Sequence, residues 1–434
     1  MNELIEFLKQ YKTILILGFG KEGKSTLNFI DKNINDIKIG IADINLINDI
    51  KSNNKIIYHN GENYLNAIYD YDLIIKSPGV SLKNIKIDDI KSKITSQTDL
   101  FLKFYKKQTI GITGTKGKST TSSLIFHILD SAQKDCILAG NIGLPVFDII
   151  DKIRKNTIIV LELSSHQLQF CRNSPHISIL LNIFQEHLDH YNGFDEYAFS
   201  KYNIHLFQKS DDYFIYNKFD DEINKLMGLF KIENIKIPID YNASLKQIKD
   251  IDIPIIGDHN RLNALIAINC VEILGLEEKE IKNYIRTFIS LPHRLEYIGK
   301  YKNIYFYNDS ISTIPQSTIA ALNTVKNVDS IILGGFDRGI EYSLLIDELI
   351  AKPLRNIILM GTVGDLIYKL LSDKNIDSKQ IFRVKTLDEA VNVCFNETEQ
   401  GKTCLLSPAA SSYDQFKNFE QRGDMFKSLV KNHF

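Results

Sequence analysis

A short glycine-rich stretch contains the residues of this sequence that are best suited to phosphate chemistry. It reads Gly114-Thr115-Lys116-Gly117-Lys118-Ser119-Thr120 and lies between an apolar run that can end in a strand and a segment with apolar residues at helical spacing. Glycines let backbone N–H groups converge on a phosphate, and the following helix N-terminus adds partial positive charge. Lys118 can reach the terminal phosphates, and the Ser119 and Thr120 hydroxyls can bind Mg²⁺. The pattern predicts an ATP-binding loop; the alternative is a glycine-rich turn without a ligand.

Two later segments end in side chains that can bind a metal ion. An apolar run ends at Glu162, where a P-loop fold places its Mg²⁺ carboxylate. The alternative for Glu162 is a solvated acid at the end of a strand. A second apolar run leads into a cluster of two histidines and two acids, of which His187 is the best candidate for a second metal ligand. Lys201 follows on a predicted helix, 194–207, and helical spacing alone predicts that it is exposed.

The amino-terminal part of the chain carries a second glycine-rich motif. A predicted strand precedes Gly18-Phe19-Gly20-Lys21-Glu22-Gly23, and the next predicted strand ends at Asp43. This is the dinucleotide-binding fingerprint, in which the acid binds a ribose, although its phosphate cradle would serve other diphosphates equally well. A third predicted strand ends at Ser77-Pro78-Gly79. Because ligands bind at the carboxyl ends of parallel strands, we expect these three segments to line one crevice.

Strands alternate with helices along most of the chain, which predicts parallel sheets. We therefore predict three consecutive α/β domains: a Rossmann-like domain at 1–95, a central P-loop domain with a mostly parallel sheet at 96–299, and a Rossmann-like domain at 300–434. A length of 434 residues allows three separate cores. The stretch 213–256 is predicted to contain only short strands and polar turns. Loops at the strand ends of different domains can cooperate only across a cleft.

Composition and charge exclude several classes of protein. The chain is 44% hydrophobic and 24% charged with a net charge of −1, which is typical of a globular protein and argues against non-specific nucleic-acid binding. Five scattered cysteines without a Cys-x-x-Cys pair predict reduced thiols rather than disulfides or a zinc site. No apolar run reaches the length of a membrane span, and the first residues do not form a signal peptide. We expect a cytoplasmic monomer with neither a membrane nor a nucleic-acid partner.

Two polar positions near the predicted border between the second and third domains have open roles. Asn263 lies in the first turn of a predicted helix, where it can cap the helix or contact a ligand. Arg294 follows a Pro-His pair and is either a linker charge or a phosphate clamp.

Taken together, these motifs resemble the Mur ligases, the ATP-dependent amide-forming enzymes of peptidoglycan precursor synthesis. The resemblance spans nearly the whole chain and rests on 111–121, 140–143, 161–168, 187–191, Lys201, 259–263, 293–294, 308–310 and 407–423. The last run is similar to the branch of the family that adds D-glutamate. The resemblance implies that UDP-N-acetylmuramoyl-L-alanine, glutamate and ATP react by way of an acyl phosphate, and it explains a Rossmann-like fingerprint without NAD.

The resemblance also implies roles for individual residues. The residues implied for ATP are Gly114, Thr115, Lys116, Gly117, Lys118, Ser119, Thr120, Asn263, Arg294 and Asp309. Those implied for two Mg²⁺ ions are Ser119, Glu162, His187 and Lys201, and the family carries a carbamylated lysine at the last position. Those implied for the UDP substrate are Gly18, Phe19, Gly20, Gly23, Asp43, Ser77, Pro78, Gly79 and Asn141. Those implied for the amino acid are Arg338, Ser412 and Phe419. The catalytic group implied is Lys118, Glu162, His187 and carbamylated Lys201.

Three positions depart from the family pattern. Ile311 and Arg338 stand where many members place lysines that meet the glutamate carboxylate, and Lys116 replaces the more usual asparagine in the phosphate loop. Arg338 can bind a carboxylate bidentately. The departures leave the same ligase chemistry with L-glutamate or another amino acid as an alternative. Two alternatives from other classes are an NAD-dependent oxidoreductase that uses the first motif and Asp43, and a nucleotide-binding protein without catalysis.

Overall fold

The computed structural model describes residues 1–48, 50–83, 85–186, 190–240, 258–289, 291–374 and 379–433. Within these ranges the chain forms three sheets flanked by helices, which confirms the predicted series of three α/β folds. The chain divides into two compact units: the first unit contains the first two sheets, and the second unit contains the third. None of the helices in these ranges has the length and apolar content needed to cross a bilayer.

The first sheet is wholly parallel, in the order β3-β2-β1-β4-β5. Its strands are β1 (Thr13–Leu17), β2 (Lys38–Asp43), β3 (Lys55–Asn60), β4 (Leu73–Lys76) and β5 (Ile94–Thr95). Its helices are α1 (Asn2–Leu8) and α2 (Lys21–Asn33). The strands are rich in isoleucine, and most of their side chains are buried, as expected for parallel strands covered on both faces. Helix α2 begins inside the first glycine-rich motif, so this motif joins a strand to a helix as predicted.

The second sheet is also wholly parallel, in the order β11-β10-β9-β6-β8-β7. Its strands are β6 (Thr109–Thr113), β7 (Cys136–Gly140), β8 (Ile158–Glu162), β9 (Ile177–Leu180), β10 (Tyr213–Asn217) and β11 (Ile235–Ile239). The helices of this part are α3 (Gln97–Tyr105), α4 (Lys118–Ser131), α5 (Ser165–Leu168), α6 (Phe194–Leu206), α7 (Asp221–Leu229), α8 (Asp258–Ile273) and α9 (Glu278–Ile285).

Helix α7 shows that the prediction for 213–256 is wrong in its first half. The Asp220 side chain caps this helix by accepting a hydrogen bond from the Ile223 N–H. Ile223 and Leu226 are buried on its inner face. A helix of only nine residues offers too few repeats for its apolar spacing to stand out from a strand-and-turn pattern. Residues 241–256 lie outside the described ranges.

The third sheet has the order β12-β13-β17-β14-β15-β16, with β12 antiparallel and the other strands parallel. Its strands are β12 (Glu296–Tyr301), β13 (Ile304–Asn308), β14 (Val328–Gly334), β15 (Asn356–Met360), β16 (Gln380–Arg383) and β17 (Thr403–Leu406). Its helices are α10 (Pro315–Thr324), α11 (Ser343–Ala351), α12 (Gly361–Ser372), α13 (Leu387–Glu397) and α14 (Phe419–Asn432). Strand β12 runs across the border predicted at residue 299, and the domain borders themselves stay a prediction.

The first two sheets are joined by packing between helix α2 and the turn of helix at Val146–Lys152. The ring centroids of Phe29 and Phe147 lie 4.7 Å apart, inside a hydrophobic core that draws on both sheets. The Ser25 hydroxyl donates a 2.6 Å hydrogen bond to the Asp148 carboxylate. This contact fixes the first glycine-rich motif relative to the strand ends of the second sheet.

Candidate active site

The phosphate loop lies between β6 and α4, as the sequence predicts. Gly114 (φ +157°) and Gly117 (φ +89°) have backbone conformations that L side chains rarely adopt, so glycine is required at both turns. Lys118 is the first residue of α4, and its Nζ donates to the carbonyl oxygens of Gly114 (2.9 Å) and Thr115 (3.0 Å). The first turn of α4 also carries Ser119 and Thr120. The N-terminus of α4 and the Lys118 ammonium group therefore meet at one point, as a phosphate site needs.

Two further predicted residues stand beside this loop. A Cβ atom on Gly117 would lie 2.5 Å from the Asn263 side-chain oxygen, so helix α8 holds Asn263 against the loop. Lys116 is exposed on the loop and forms a 2.8 Å ion pair with Glu186. Both residues therefore lie at the phosphate loop. Asn263 is buried there, whereas Lys116 is exposed to solvent.

Glu162 is wholly buried at the end of β8, the strand next to β6. Its carboxylate accepts hydrogen bonds from Asn141 Nδ2 (2.7 Å) and, more weakly, from the Ser122 hydroxyl (3.5 Å). Both donors are neutral, and among the described side chains no ion pair with Glu162 is present. A buried carboxylate without a cationic partner is costly, which makes this position well suited to a metal ion. The alternative of a solvated acid is wrong for Glu162.

Lys201 is 2% exposed, so the exposure predicted from helical spacing is wrong. Its Nζ donates to the Gly114 carbonyl oxygen at 2.9 Å and lies 4.9 Å from the Tyr197 ring centroid. Burial, reinforced by the neighbouring Lys118, holds the pKa of Lys201 well below its usual range. Spacing failed here because α6 is buried on nearly every side, so it has no broad polar face. Only the family resemblance pointed to this lysine.

His187 lies outside the described residues, so its predicted role as a metal ligand stays a prediction. Among the residues that the structure does describe, no group of three or more His, Cys, Asp or Glu side chains is arranged to hold a metal ion. Glu162 and Ser119 are therefore the described members of the predicted metal set, together with the Lys201 amine.

A cleft of about 460 Å³ lies between the strand ends of the first two sheets. The predicted residues that line it are Gly18, Gly20, Asp43, Ser77, Pro78, Gly79 and Asn141. Lys21 and Glu22, which belong to the first glycine-rich motif, also line it as expected. The other lining residues, which had no individual prediction, are Ile44, Asn45, Tyr64, Val80, Gly140, Pro145 and Gln167. The expected crevice at the strand ends is therefore present, and the second sheet contributes one wall.

Phe19 and Gly23 stand behind the lining and shape it. The Phe19 N–H donates to the Asp43 carboxylate at 2.7 Å, so Asp43 fixes the loop as well as lining the cleft. A side chain at Gly23 would collide with the Gly18 carbonyl oxygen, so Gly23 is needed for the close approach of α2 to the loop. The Ser77 hydroxyl donates to the same carbonyl oxygen at 2.7 Å. The cradle is thus held together by its own hydrogen bonds.

Lys76 is a functional candidate that the sequence analysis missed, and Glu22 is one that it quoted only as part of the first glycine-rich motif. Glu22 accepts a 2.7 Å hydrogen bond from Gln167 Nε2, which ties α2 to the turn after Glu162. Lys76 is 2% exposed at the end of β4, and burial lowers its pKa to about 7, with the charge of Glu22 acting in the opposite direction. A lysine at the end of an otherwise apolar strand, next to the Ser-Pro-Gly turn, was the available signal.

The second unit brings Arg294 and Asp309 together. Asp309 is buried and accepts hydrogen bonds from the Leu295 N–H (3.2 Å) and the Ser407 hydroxyl (2.8 Å). Burial raises the pKa of Asp309 to about 6, although these hydrogen bonds and the Arg294 charge act against the rise. Such an environment is typical of functional carboxylates. The contact of Arg294 and Asp309 with ATP stays a prediction.

The three residues predicted for the amino acid also lie in the second unit. Arg338 is exposed on the loop after β14, and Ser412 is buried on the loop after β17, the neighbouring strand. Phe419 is half-buried at the start of α14. These positions share the carboxyl ends of adjacent strands, where α/β proteins bind ligands.

Known proteins resemble both the parts that form the first two sheets and nearly the whole chain. Two family models match: the Mur ligase middle domain over residues 112–247 and the Mur ligase MurD-like N-terminal domain over residues 12–96. A Clostridioides difficile protein named UDP-N-acetylmuramoylalanine--D-glutamate ligase is 32% identical and covers 97% of this chain and 98% of its own length. A Thermosipho melanesiensis protein of the same name is 32% identical and covers 96% of each chain.

Solved structures share the fold at low identity. MurF from Acinetobacter baumannii has a TM-score of 0.62 at 16% identity and covers 99% of this chain and 98% of its own. MurF ligase from Thermotoga maritima, solved in complex with ADP, has a TM-score of 0.59 at 14% identity and covers 100% of both chains.

Fold and site together define an α/β protein with a phosphate loop before helix α4 and a cleft beside the first glycine-rich motif. The chain belongs to the Mur ligase family, among the relatives named UDP-N-acetylmuramoylalanine--D-glutamate ligase. An NAD-dependent oxidoreductase, the alternative suggested by the first glycine-rich motif, finds no support among these relatives.

Proposed function

We propose that this chain is an ATP-dependent ligase that joins D-glutamate to UDP-N-acetylmuramoyl-L-alanine and releases ADP and phosphate. The observation that carries the proposal is the position of Asn141. Its side chain lines the cleft beside the first glycine-rich motif and also donates to the buried carboxylate of Glu162. Asn141 therefore joins the cleft to the end of β8, the strand next to the one that leads into the phosphate loop. The names of the relatives supply the identity of the substrates.

The ligands divide between the two glycine-rich motifs. Gly18–Gly23 and Ser77–Gly79 would cradle the diphosphate of the nucleotide-sugar, with Asp43 beside the ribose. The phosphate loop around Lys118 would bind ATP, with Asn263 at its edge. Arg294 and Asp309 of the second unit are proposed as further ATP contacts.

The proposed reaction proceeds in two displacements. An oxygen of the alanyl carboxylate attacks the γ-phosphorus of ATP, and the bond from that phosphorus to the ADP oxygen breaks. The glutamate nitrogen then attacks the acyl carbon, phosphate leaves with the electrons of the C–O bond, and the nitrogen loses a proton. Lys118 and the N-terminus of α4 stabilise the charge that moves between the phosphate oxygens.

The residues present fit the Mg²⁺ ions that this chemistry uses. Glu162 is a buried carboxylate whose described donors are both neutral, and the Thr120 hydroxyl is buried without a hydrogen-bond partner in the described part of the chain. Glu162 and Ser119 would hold one ion, and His187 and Lys201 the other. When bound, Mg²⁺ neutralises phosphate charge.

Lys201 is proposed to act as a carbamate. Its amine is buried, and because its pKa is held well below the usual range it is neutral more often than an ordinary lysine. A neutral amine forms an N–C bond with carbon dioxide and loses a proton, which gives a group with two oxygen ligands. Such oxygens suit Mg²⁺, whereas an ammonium group would repel it.

Arg338, Ser412 and Phe419 are proposed to bind the glutamate. Arg338 is exposed and can form two parallel hydrogen bonds to a carboxylate, which offsets the lack of a lysine at Ile311. The second candidate function is the same chemistry with L-glutamate or another amino acid, because Ile311 and Arg338 both depart from the lysines of the family pattern.

We also propose that the protein works as a cytoplasmic monomer with small-molecule partners, with neither a membrane nor a nucleic acid. The domain borders proposed are 1–95, 96–299 and 300–434. Light scattering of the purified chain should give the mass of one 49.7 kDa copy.

Phosphate release tests the proposal directly. The protein would be mixed with ATP, Mg²⁺ and UDP-N-acetylmuramoyl-L-alanine, and D-glutamate and L-glutamate would be added in separate reactions. We expect release that depends on D-glutamate. Release with the L-isomer alone would overturn the substrate assignment but keep the ligase chemistry, and no release with either would overturn the proposed function.

A further inference from the structure

Among the described residues of the second unit, Arg422 is the largest side chain that is almost completely buried, at 1% exposure. It lies on α14, four residues before Phe426, which is wholly buried and anchors the helix. The next residue, Gly423, lets α14 approach so closely that a Cβ atom there would collide with His293 and come within 3.0 Å of Asn308. This close approach carries the Arg422 guanidinium group under the loops at the strand ends.

The guanidinium group joins two of these loops. Its Nε donates to the Ser310 hydroxyl at 3.0 Å, and its Nη2 donates to the carbonyl oxygens of Ser310 (2.9 Å) and Ala410 (3.1 Å). Ser310 follows β13 and Ala410 follows β17, which are neighbouring strands. The Ser310 hydroxyl in turn donates to the Phe419 carbonyl oxygen at 2.8 Å. One side chain therefore sets the spacing between the loop of Ser412 and the helix start at Phe419.

A third loop is fitted to the same group. Nη1 is buried without a hydrogen-bond partner among the described residues, and a Cβ atom on Gly335 would lie 3.2 Å from it. Gly335 lies on the loop after β14 that leads to Arg338. Because Gly335 has no side chain, this loop packs directly against the guanidinium group. The ammonium group of a lysine is not planar and would not fill the same space.

We infer that Arg422 is a positioning residue for the amino-acid substrate: it packs under the loop that leads to Arg338 and, through Ser310 and Ala410, fixes Ser412 and Phe419 relative to each other. The inference rests on the proposed function, because Arg338, Ser412 and Phe419 are the proposed glutamate contacts. The planar fork of arginine is needed, since Nε must reach the Ser310 hydroxyl while Nη2 donates to the carbonyl oxygens of Ser310 and Ala410. Lysine keeps the charge, but all its donors are on one nitrogen and cannot span these separated positions.

The test compares the steady-state kinetics of R422K with those of the unchanged protein. The concentration of the glutamate isomer that supports phosphate release is varied. We expect the KM for glutamate to rise about tenfold or more, with kcat changed less than about threefold. The dissociation constant of UDP-N-acetylmuramoyl-L-alanine should stay the same, because its cleft is formed by the first unit. A merely structural role would lower the active fraction, and hence the apparent kcat, without moving the KM.

The matched control is R383K, at an exposed arginine of the second unit that pairs with Asp365. If R422K does not fold, S310A provides a second variant, since it removes the hydroxyl that links Arg422 to Phe419; the KM for glutamate should rise in the same direction. An unchanged KM in a folded variant, or an equal rise for all three substrates, would overturn the inference. A lack of glutamate-dependent release in the unchanged protein would instead overturn the proposed function.

Discussion

Burial determines the chemistry that is available to Lys201 and Glu162. Both side chains would be ordinary surface charges at other positions on a helix and a strand. At 2% and 0% exposure, the amine is pushed toward its neutral form and the carboxylate is left with neutral hydrogen-bond donors. Each is unfavourable alone, and each becomes favourable if an ion or a modification completes it.

Replacing Lys201 with alanine should lower the ligase rate about 100-fold or more, because the carbamate oxygens are lost. Formate or acetate should restore part of the rate, since a small carboxylate can occupy the space and supply two oxygens. The rate of phosphate release measured with increasing formate tests this. K209A, at an exposed lysine of the same segment, is the control and should behave as the unchanged protein. A K201A variant with a near-normal rate, or no response to either acid, would contradict the carbamate.

The residue just before β10 joins segments at the amino-terminal ends of three strands of the second sheet. The Asp212 carboxylate is fully buried there and accepts hydrogen bonds from Lys106 Nζ, His176 Nδ1 and the Lys209 N–H, each at 2.8 Å. Burial alone would raise the pKa of Asp212, but these hydrogen bonds outweigh it and hold the pKa below its usual range. The network therefore ties the strands β9 and β10 to the segment before β6.

Replacing Asp212 with asparagine should destabilise the first unit by about 3 kcal/mol, because Lys106 loses a buried partner. A lowered carboxylate pKa contributes stability that is present above the unfolded value, about 3.9, and is lost as the pH falls below it. The unchanged protein should therefore lose stability below about pH 4 more steeply than D212N. Urea unfolding between pH 3 and pH 7 measures both effects. If the free energy of unfolding fell equally with pH in both proteins, Asp212 would not be the cause of the loss of stability at low pH.

Most elements were predictable because their signals are local. Alternating apolar runs and helical spacing located the parallel strands, and glycines at fixed spacing located both loops. Helix α7 was missed because its nine residues give too few repeats, and the antiparallel pairing of β12 depends on contacts with β13 that no local pattern encodes. The burial of Lys201 and the fork of Arg422 depend on tertiary packing, which helical spacing does not report.

On the scale of the whole molecule, the proposed contacts for the nucleotide-sugar and those for the amino acid lie in different units. The first unit contains the cleft, the phosphate loop and the link through Asn141 between them. The second unit contains Arg338, Ser412 and Phe419, with Arg422 beneath their loops. In the proposed assignment, each glycine-rich motif of the first unit would serve a different phosphorylated substrate, and the amino acid would use neither.

Transfer of oxygen-18 from the substrate carboxylate to the released phosphate tests the central claim most directly. UDP-N-acetylmuramoyl-L-alanine labelled at both carboxylate oxygens would be converted with ATP and D-glutamate, and the phosphate would be analysed by mass spectrometry. An acyl phosphate intermediate requires one labelled oxygen in each phosphate and one left in the new amide. Unlabelled phosphate would contradict the proposed ligase mechanism. This holds if the amide product accumulates without transfer of the label, and also if ATP is only hydrolysed.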